Sequence, residues 1–240
     1  MNNSIFLKTL EKSFLKYLEK GARSNEKLKP LHGAISEDII SNLNSKNESV
    51  EDYSAASLGY DKNKERKISG RYIDKAVDIT ICKNNIPIAG IAVKFVMSNY
   101  KQNSNNYFEN MLGETANIRC NNIPYFQIIV IPEMIPYFNE DKIISKWEKL
   151  NKNNLKKYIK LSEDDINIYM HTPNKTSINI INISGTENPQ YDTFQEYNEY
   201  YLNNPFTIKY SKEDFEFGNT VIYNDYEKFV KKIVYSILSI

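Results

Sequence analysis

The stretch "VDITICKNNIPIAGIAVKF", residues 77–95, constrains the fold more than any other part of the chain. Two apolar runs, 76–82 and 88–96, flank the turn-forming KNNIP, which predicts an antiparallel hairpin. Each run carries one charge in an otherwise oily setting, Asp78 in the first and Lys94 in the second. Burying either charge alone costs on the order of several kcal/mol, so such a pair is kept as a buried ion pair or as a working site. With the turn centred near Ile86, Asp78 stands opposite Lys94. Period two then puts Asp78, Thr80, Cys82, Ala92 and Lys94 on one face. Val77, Ile79, Ile81, Ile91, Val93 and Phe95 take the other, which reads as core.

The elements around the hairpin follow from local periodicity. Phe6, Leu7, Leu10, Phe14, Tyr17 and Leu18 repeat at helical spacing before Gly21. A second helix covers LHGAISEDIISNL, with Ile35, Ile39 and Leu43 inward. From Asn44 to Gly70 the chain turns polar. NNYFENMLGETANIR predicts a helix with Phe108, Met111, Leu112 and Ile118 on one face, followed by the continuous apolar strand YFQIIVI. Farther on, KIISKWEKL reads as a helix with Trp147 in the core, SINIINIS as a strand and TFQEYNEYYL as a short aromatic helix. The last helix shows one broad stripe from Tyr226 to Leu238, with Asn224 as its cap and Glu227 completing a capping box. No internal repeat or linker divides the 240 residues. The expected fold is one α/β (α+β) domain, residues 1–240, with a mixed central β-sheet flanked by helices.

Charge and cysteine content narrow the function classes. The formal net charge is +1, from 31 basic and 30 acidic side chains, so no global field favours a polyanion and only a local basic face remains. Cys82 and Cys120 lack the CxxC spacing of thiolate metal sites, and a reduced cytoplasmic setting is the default. The first 21 residues intersperse charges with apolar positions, unlike a signal peptide, and no apolar run reaches the roughly 20 residues that span a bilayer. His32 and His171 lack metal-ligand spacing; the first is expected to be structural and the second a loop residue. Phosphate-binding and nucleophile-elbow motifs are absent.

The hairpin with Asp78 and Lys94, a helix before it and a helix and buried strand after it, resembles the PD-(D/E)XK nuclease superfamily and its type II restriction endonucleases. The resemblance is concentrated in residues 72–131. Asp78 matches the family's first acid and Lys94 its lysine, but Ala92 stands where the second acid is usual. In a subgroup of these enzymes that acid moves to the following helix, which selects Glu109, fifteen residues after Lys94, with Glu114 and Glu37 as competitors. At about 100° per residue, Glu109 and Glu114 lie about 140° apart around a helix and cannot share one metal.

The resemblance implies a restriction-endonuclease-like sheet, with a catalytic core at about 30–135 and a recognition and dimerisation region at about 136–240. It implies Mg²⁺ held by Asp78, Glu109 and the Val93 carbonyl, Lys94 acting on the attacking water, and double-stranded DNA cut by a homodimer. The basic run that includes Arg66, Lys67 and Arg71 would meet phosphates, and Lys101, Gln102 and Asn103 base edges. The rival readings are a decayed DNA-binding homologue, motivated by Ala92, and a repair or junction-resolving nuclease.

Overall fold

A computed structural model describes residues 1–46, 52–186 and 191–240. Helix α1 (Asn3–Lys20), a 3-10 turn and helix α2 (Lys29–Lys46) precede strands β1 (Tyr53–Ser57), β2 (Arg66–Ser69), β3 (Asp74–Val77), β4 (Ile79–Lys83) and β5 (Ile86–Phe95). Helix α3 (Tyr100–Arg119) leads to β6 (Tyr125–Pro132), β7 (Met134–Phe138) and β8 (Ile144–Lys149). Helix α4 (Lys152–Ser162), β9 (Lys175–Ile183), α5 (Phe194–Asn203), β10 (Ile208–Tyr210), β11 (Val221–Tyr223) and α6 (Tyr226–Leu238) complete the chain.

Seven strands form one mixed sheet in the order β1-β4-β5-β6-β9-β10, with β11 also pairing β9. The pairs β1/β4, β4/β5 and β9/β10 are antiparallel, whereas β5/β6, β6/β9 and β9/β11 are parallel. Strand β6 is buried along its whole length, as its continuous apolar run requires of a central strand. The largest core cluster packs α1, α2, α5 and α6 on one face of the sheet, through Phe14, Ile35, Tyr197 and Phe229 against Ile79, Ile91, Ile128 and Ile181. The other face carries α3 and α4 over Ile129, Ile131, Ile178 and Ile180. A third, smaller cluster lies under the β2/β3 hairpin, joining Ile68 and Val77 to Ala92, Ile118 and Tyr125. The expected α/β architecture with a mixed, helix-flanked sheet is therefore present.

Three local expectations change. The run 76–82 is two strands broken at Asp78, so Val77 packs under the β2/β3 hairpin while Ile79 and Ile81 enter the main core. KIISKWEKL is strand β8, paired antiparallel with β7, because that pairing overrides the helical spacing of Ile144, Trp147 and Leu150. Trp147 is partly buried, packed on Tyr191 and Tyr197. The cap of α6 is Asp225, whose carboxylate accepts from the Lys228 amide, while Asn224 takes a left-handed φ of 48° and accepts from the Ile180 amide at 2.8 Å. Its side-chain oxygen is thus committed to strand β9. Among the described residues no helix is long and apolar enough to cross a membrane.

Candidate active site

The β4/β5 turn sets the geometry of the hairpin. Asn84 and Asn85 both adopt positive φ, 49° and 62°, and close a two-residue connection between the paired Lys83 and Ile86. One irregularity follows at Ile81/Cys82, after which Ile79 pairs with Ile91. Asp78, one residue earlier, therefore faces Ala92, and Lys94 lies two positions farther along β5. The expected Asp78–Lys94 pairing is displaced by these two residues because the turn centre is at the asparagines and not near Ile86. Asp78 and Lys94 still share one face, and no salt bridge joins them among the described residues.

Asp78 is fixed by the backbone of the neighbouring strand. The Val93 amide donates to Asp78 Oδ2 at 2.7 Å. A residue's N–H and C=O project from the same strand edge, so the Val93 carbonyl is directed to the side where Asp78 stands. Lys94 is half-buried.

Two residues without a site role in the sequence reading join Asp78. His32 in the first turn of α2, Glu65 just before β2, and Asp78 place one ligand atom each within 4.8 Å of the others. Pairing of Arg66 with Val77 in the β2/β3 ladder carries Glu65 to Asp78. His32 is 0% exposed, and both ring nitrogens lack a hydrogen-bond partner. Burial pushes its pKa below the ordinary value; Asp78 partly opposes this and Lys94 adds to it. Burial raises the pKa of Glu65, and the Asp78 carboxylate raises it further. Two adjacent carboxylates and a neutral imidazole, with a free lone pair on one ring nitrogen, form a donor set that a divalent cation would relieve. The residues present fit a metal.

Glu109 does not join them. It is exposed on α3, and its charge acts on Lys157 of α4, because this flank of α3 faces α4 and not the hairpin. Glu114 approaches from the inner side of the same helix, accepting from the Tyr125 hydroxyl at 3.2 Å and pairing with Lys75 at 2.7 Å. The Tyr125 pKa is raised well above its usual value by burial, then by Glu114 and Asp78. Glu37 is exposed, with Tyr60 as its neighbour. His32, not Glu37, is the α2 residue that reaches the site. The signal for Glu65 was its place in the basic run just before a short hairpin. For His32 it was an imidazole one helical turn into α2.

The nucleic-acid candidates divide similarly. Arg66 donates to the Asn85 side chain at 2.8 Å and its carbonyl at 3.0 Å, so it braces the β4/β5 turn. Lys67 and Arg71 are exposed. Lys62, Lys64 and Lys67 line a cleft of about 800 Å³ that borders the site through Glu65. Lys101, Gln102 and Asn103 sit in the first turns of α3 rather than in a loop; the Lys101 amide donates to the Tyr137 hydroxyl, and Gln102 accepts from Asn99. His171 lies in a turn beside Asp164, and both cysteines are free. Compared with protein-family models, curated proteins and solved structures, the chain gives no significant match.

Proposed function

We propose that the chain is a divalent-metal-dependent deoxyribonuclease of the PD-(D/E)XK type, acting on double-stranded DNA as a type II restriction enzyme. The observation that carries this reading is the convergence of His32, Glu65 and Asp78 within 4.8 Å, beside the hairpin that carries Lys94. Glu65 stands in for the acid that Ala92 lacks, which favours a working enzyme over a decayed binder. When bound, a divalent ion supplies Lewis acidity at a phosphate and acidifies nearby water. Asp78 and Glu65 would be its oxygen donors, and the Val93 carbonyl would be a further one. An imidazole in the set suits Mn²⁺ at least as well as the oxygen-loving Mg²⁺ expected from the resemblance.

The chain's own residues do the rest. Lys94 presents positive charge to the phosphate and orients the attacking water. The Val93 amide holds the Asp78 rotamer, and the exposed lysines of the adjoining cleft bind flanking phosphates. Symmetric cutting of both strands fits a homodimer.

The test is cleavage of supercoiled plasmid with Mg²⁺, Mn²⁺ or chelator. Discrete metal-dependent fragments are expected from the wild type. Asp78→Asn, Lys94→Ala and Glu65→Gln should each cut on the order of 100-fold more slowly while melting normally, whereas Glu109→Gln keeps the wild-type rate. Failure to cut duplex, single-stranded or branched DNA in either metal sinks the proposal. Preference for branched DNA would instead identify a junction-resolving enzyme.

A further inference from the structure

The β2/β3 hairpin carries the site at its base and an unexplained apolar pair at its tip. Tyr72 is 80% exposed and Ile73 is 64% exposed, side by side in the loop 70–73 that joins the two strands. Such turns are ordinarily filled by Gly, Asn, Asp, Ser or Pro, and a β-branched residue beside an aromatic one gains nothing there from packing. The loop is nevertheless firmly held. The Gly70 amide donates to the Ile73 carbonyl, the Arg71 amide to the Asn117 carbonyl, and the Tyr72 and Ile73 amides to the Asn117 side chain. The Asn121 side chain donates to the Ser69 carbonyl just below them. All four tip amides are thus committed, and a fixed backbone presents two large apolar side chains to solvent.

The surface that leads to this tip is basic. Lys67 pairs with Ala76 in the ladder, and both line the cleft that also takes in Lys62 and Lys64. Period two continues the same outer face to Ser69 and Asp74 at the top of the ladder, where Ser69 Oγ donates to the Asp74 carboxylate at 2.7 Å. Arg71 is exposed beside Tyr72. Four strand steps of about 3.3 Å separate the level of Glu65 and Asp78 from that of Ser69 and Asp74, about 13 Å in all, the length of about four base-pair steps.

We propose that Tyr72 and Ile73 form a wedge for duplex DNA: the two side chains enter the minor groove and insert between neighbouring base pairs, kinking the duplex a few steps from the phosphate at the metal site. The lysines of the cleft and Arg71 beside the pair select a polyanion as the partner, and the apolar tip selects its stacked bases. Unstacking a base step is costly, and a tip already ordered before binding loses little conformational freedom in doing it. This rests on the nuclease reading and adds to it a base contact at the far end of the hairpin that carries Glu65.

The test uses relaxed closed-circular plasmid, a metal-independent topoisomerase and chelator, so that the protein binds without cutting. Wild type should change the linking number in proportion to the protein bound. Tyr72→Ser/Ile73→Ser should not, although it melts as wild type does. The double variant should also bind plasmid roughly tenfold more weakly with an unchanged salt slope, whereas Arg71→Ala lowers that slope by about one. Tyr72→Phe should keep both effects, since the wedge uses the ring and not the hydroxyl. An equal linking-number change in wild type and the double variant, or none in wild type, overturns the wedge and leaves the nuclease reading to the cleavage assay. A double variant that keeps its DNA affinity but sediments as a smaller oligomer makes the tip a contact between copies of this chain and overturns the wedge too. Unwinding by a wild-type protein that cuts nothing in Mg²⁺ or Mn²⁺ overturns the nuclease reading alone.

Discussion

Burial sets the behaviour of His32. Its ring is enclosed in the first turn of α2 with both nitrogens unpartnered, and desolvation holds it neutral. The unfolded chain takes up a proton near pH 6.5, while the native imidazole does so only at lower pH. The native state is therefore fully stabilised above about pH 6.5 and loses stability as pH falls below it. A thermal melt of the metal-free protein should show this loss, and His32→Phe should remove much of it. The same variant should match or exceed the wild-type melting temperature at neutral pH, since it deletes two unmet polar atoms worth about 1–3 kcal/mol each. It should nevertheless lose the metal response. A His32→Phe protein melting far below wild type would show the ring to be structural.

At the scale of elements, the β2/β3 hairpin is the arm that delivers Glu65. Its tip is pinned to α3 by Asn117, whose oxygen accepts from the Tyr72 and Ile73 amides at 2.9 and 3.3 Å and whose nitrogen donates to the Ile73 carbonyl at 2.9 Å. Gly70 permits this approach, since a Cβ there would collide with the Asn117 amide. Asn117→Ala should destabilise the fold by about 1–3 kcal/mol and slow cleavage as well, because the arm that carries Glu65 loosens. Hydrogen exchange of β2 and β3 reads the first effect and plasmid cutting the second; unchanged exchange would detach the hairpin from α3. Helix α6 is different in kind. Its stripe, Phe229, Val230, Ile233, Val234 and Ile237, is buried within the chain's own core. Phe229→Ala should cost about 3–5 kcal/mol in a denaturant titration, and light scattering should find the oligomeric state unaltered.

For the molecule as a whole, the site gathers groups from both layers. His32 comes from the helices on one face, Glu65 from the hairpin on the other, and Asp78 from the break between two strands. An ion bound there would tie the layers together and stabilise the native state by mass action, by about 2.7 kcal/mol at a hundredfold excess over Kd. Mn²⁺ should therefore raise the wild-type melting temperature, and neither His32→Phe nor Asp78→Asn should respond. Equal rises in all three would place the ion elsewhere.

What the sequence by itself determined is local in origin. Alternation marked the β4 and β5 faces, helical spacing marked α1, α2 and α6, and two charges in apolar runs marked Asp78 and Lys94. These signals need only a residue's near neighbours, so they are legible without a partner. The tertiary structure decided what depends on contacts between distant segments. The asparagine turn and the irregularity at Ile81/Cys82 moved the register until Asp78 faced Ala92. Pairing with β7 made a strand of the helix-patterned 142–150 stretch. The choice of Glu65 over Glu109 followed from which element reaches the start of β4. An acid 13 residues upstream arrives through a short antiparallel ladder, while the one expected on α3 turns towards Lys157. Helix phase fixes which residues of α3 share a side, but only packing against β6 and α4 decides which side faces the hairpin.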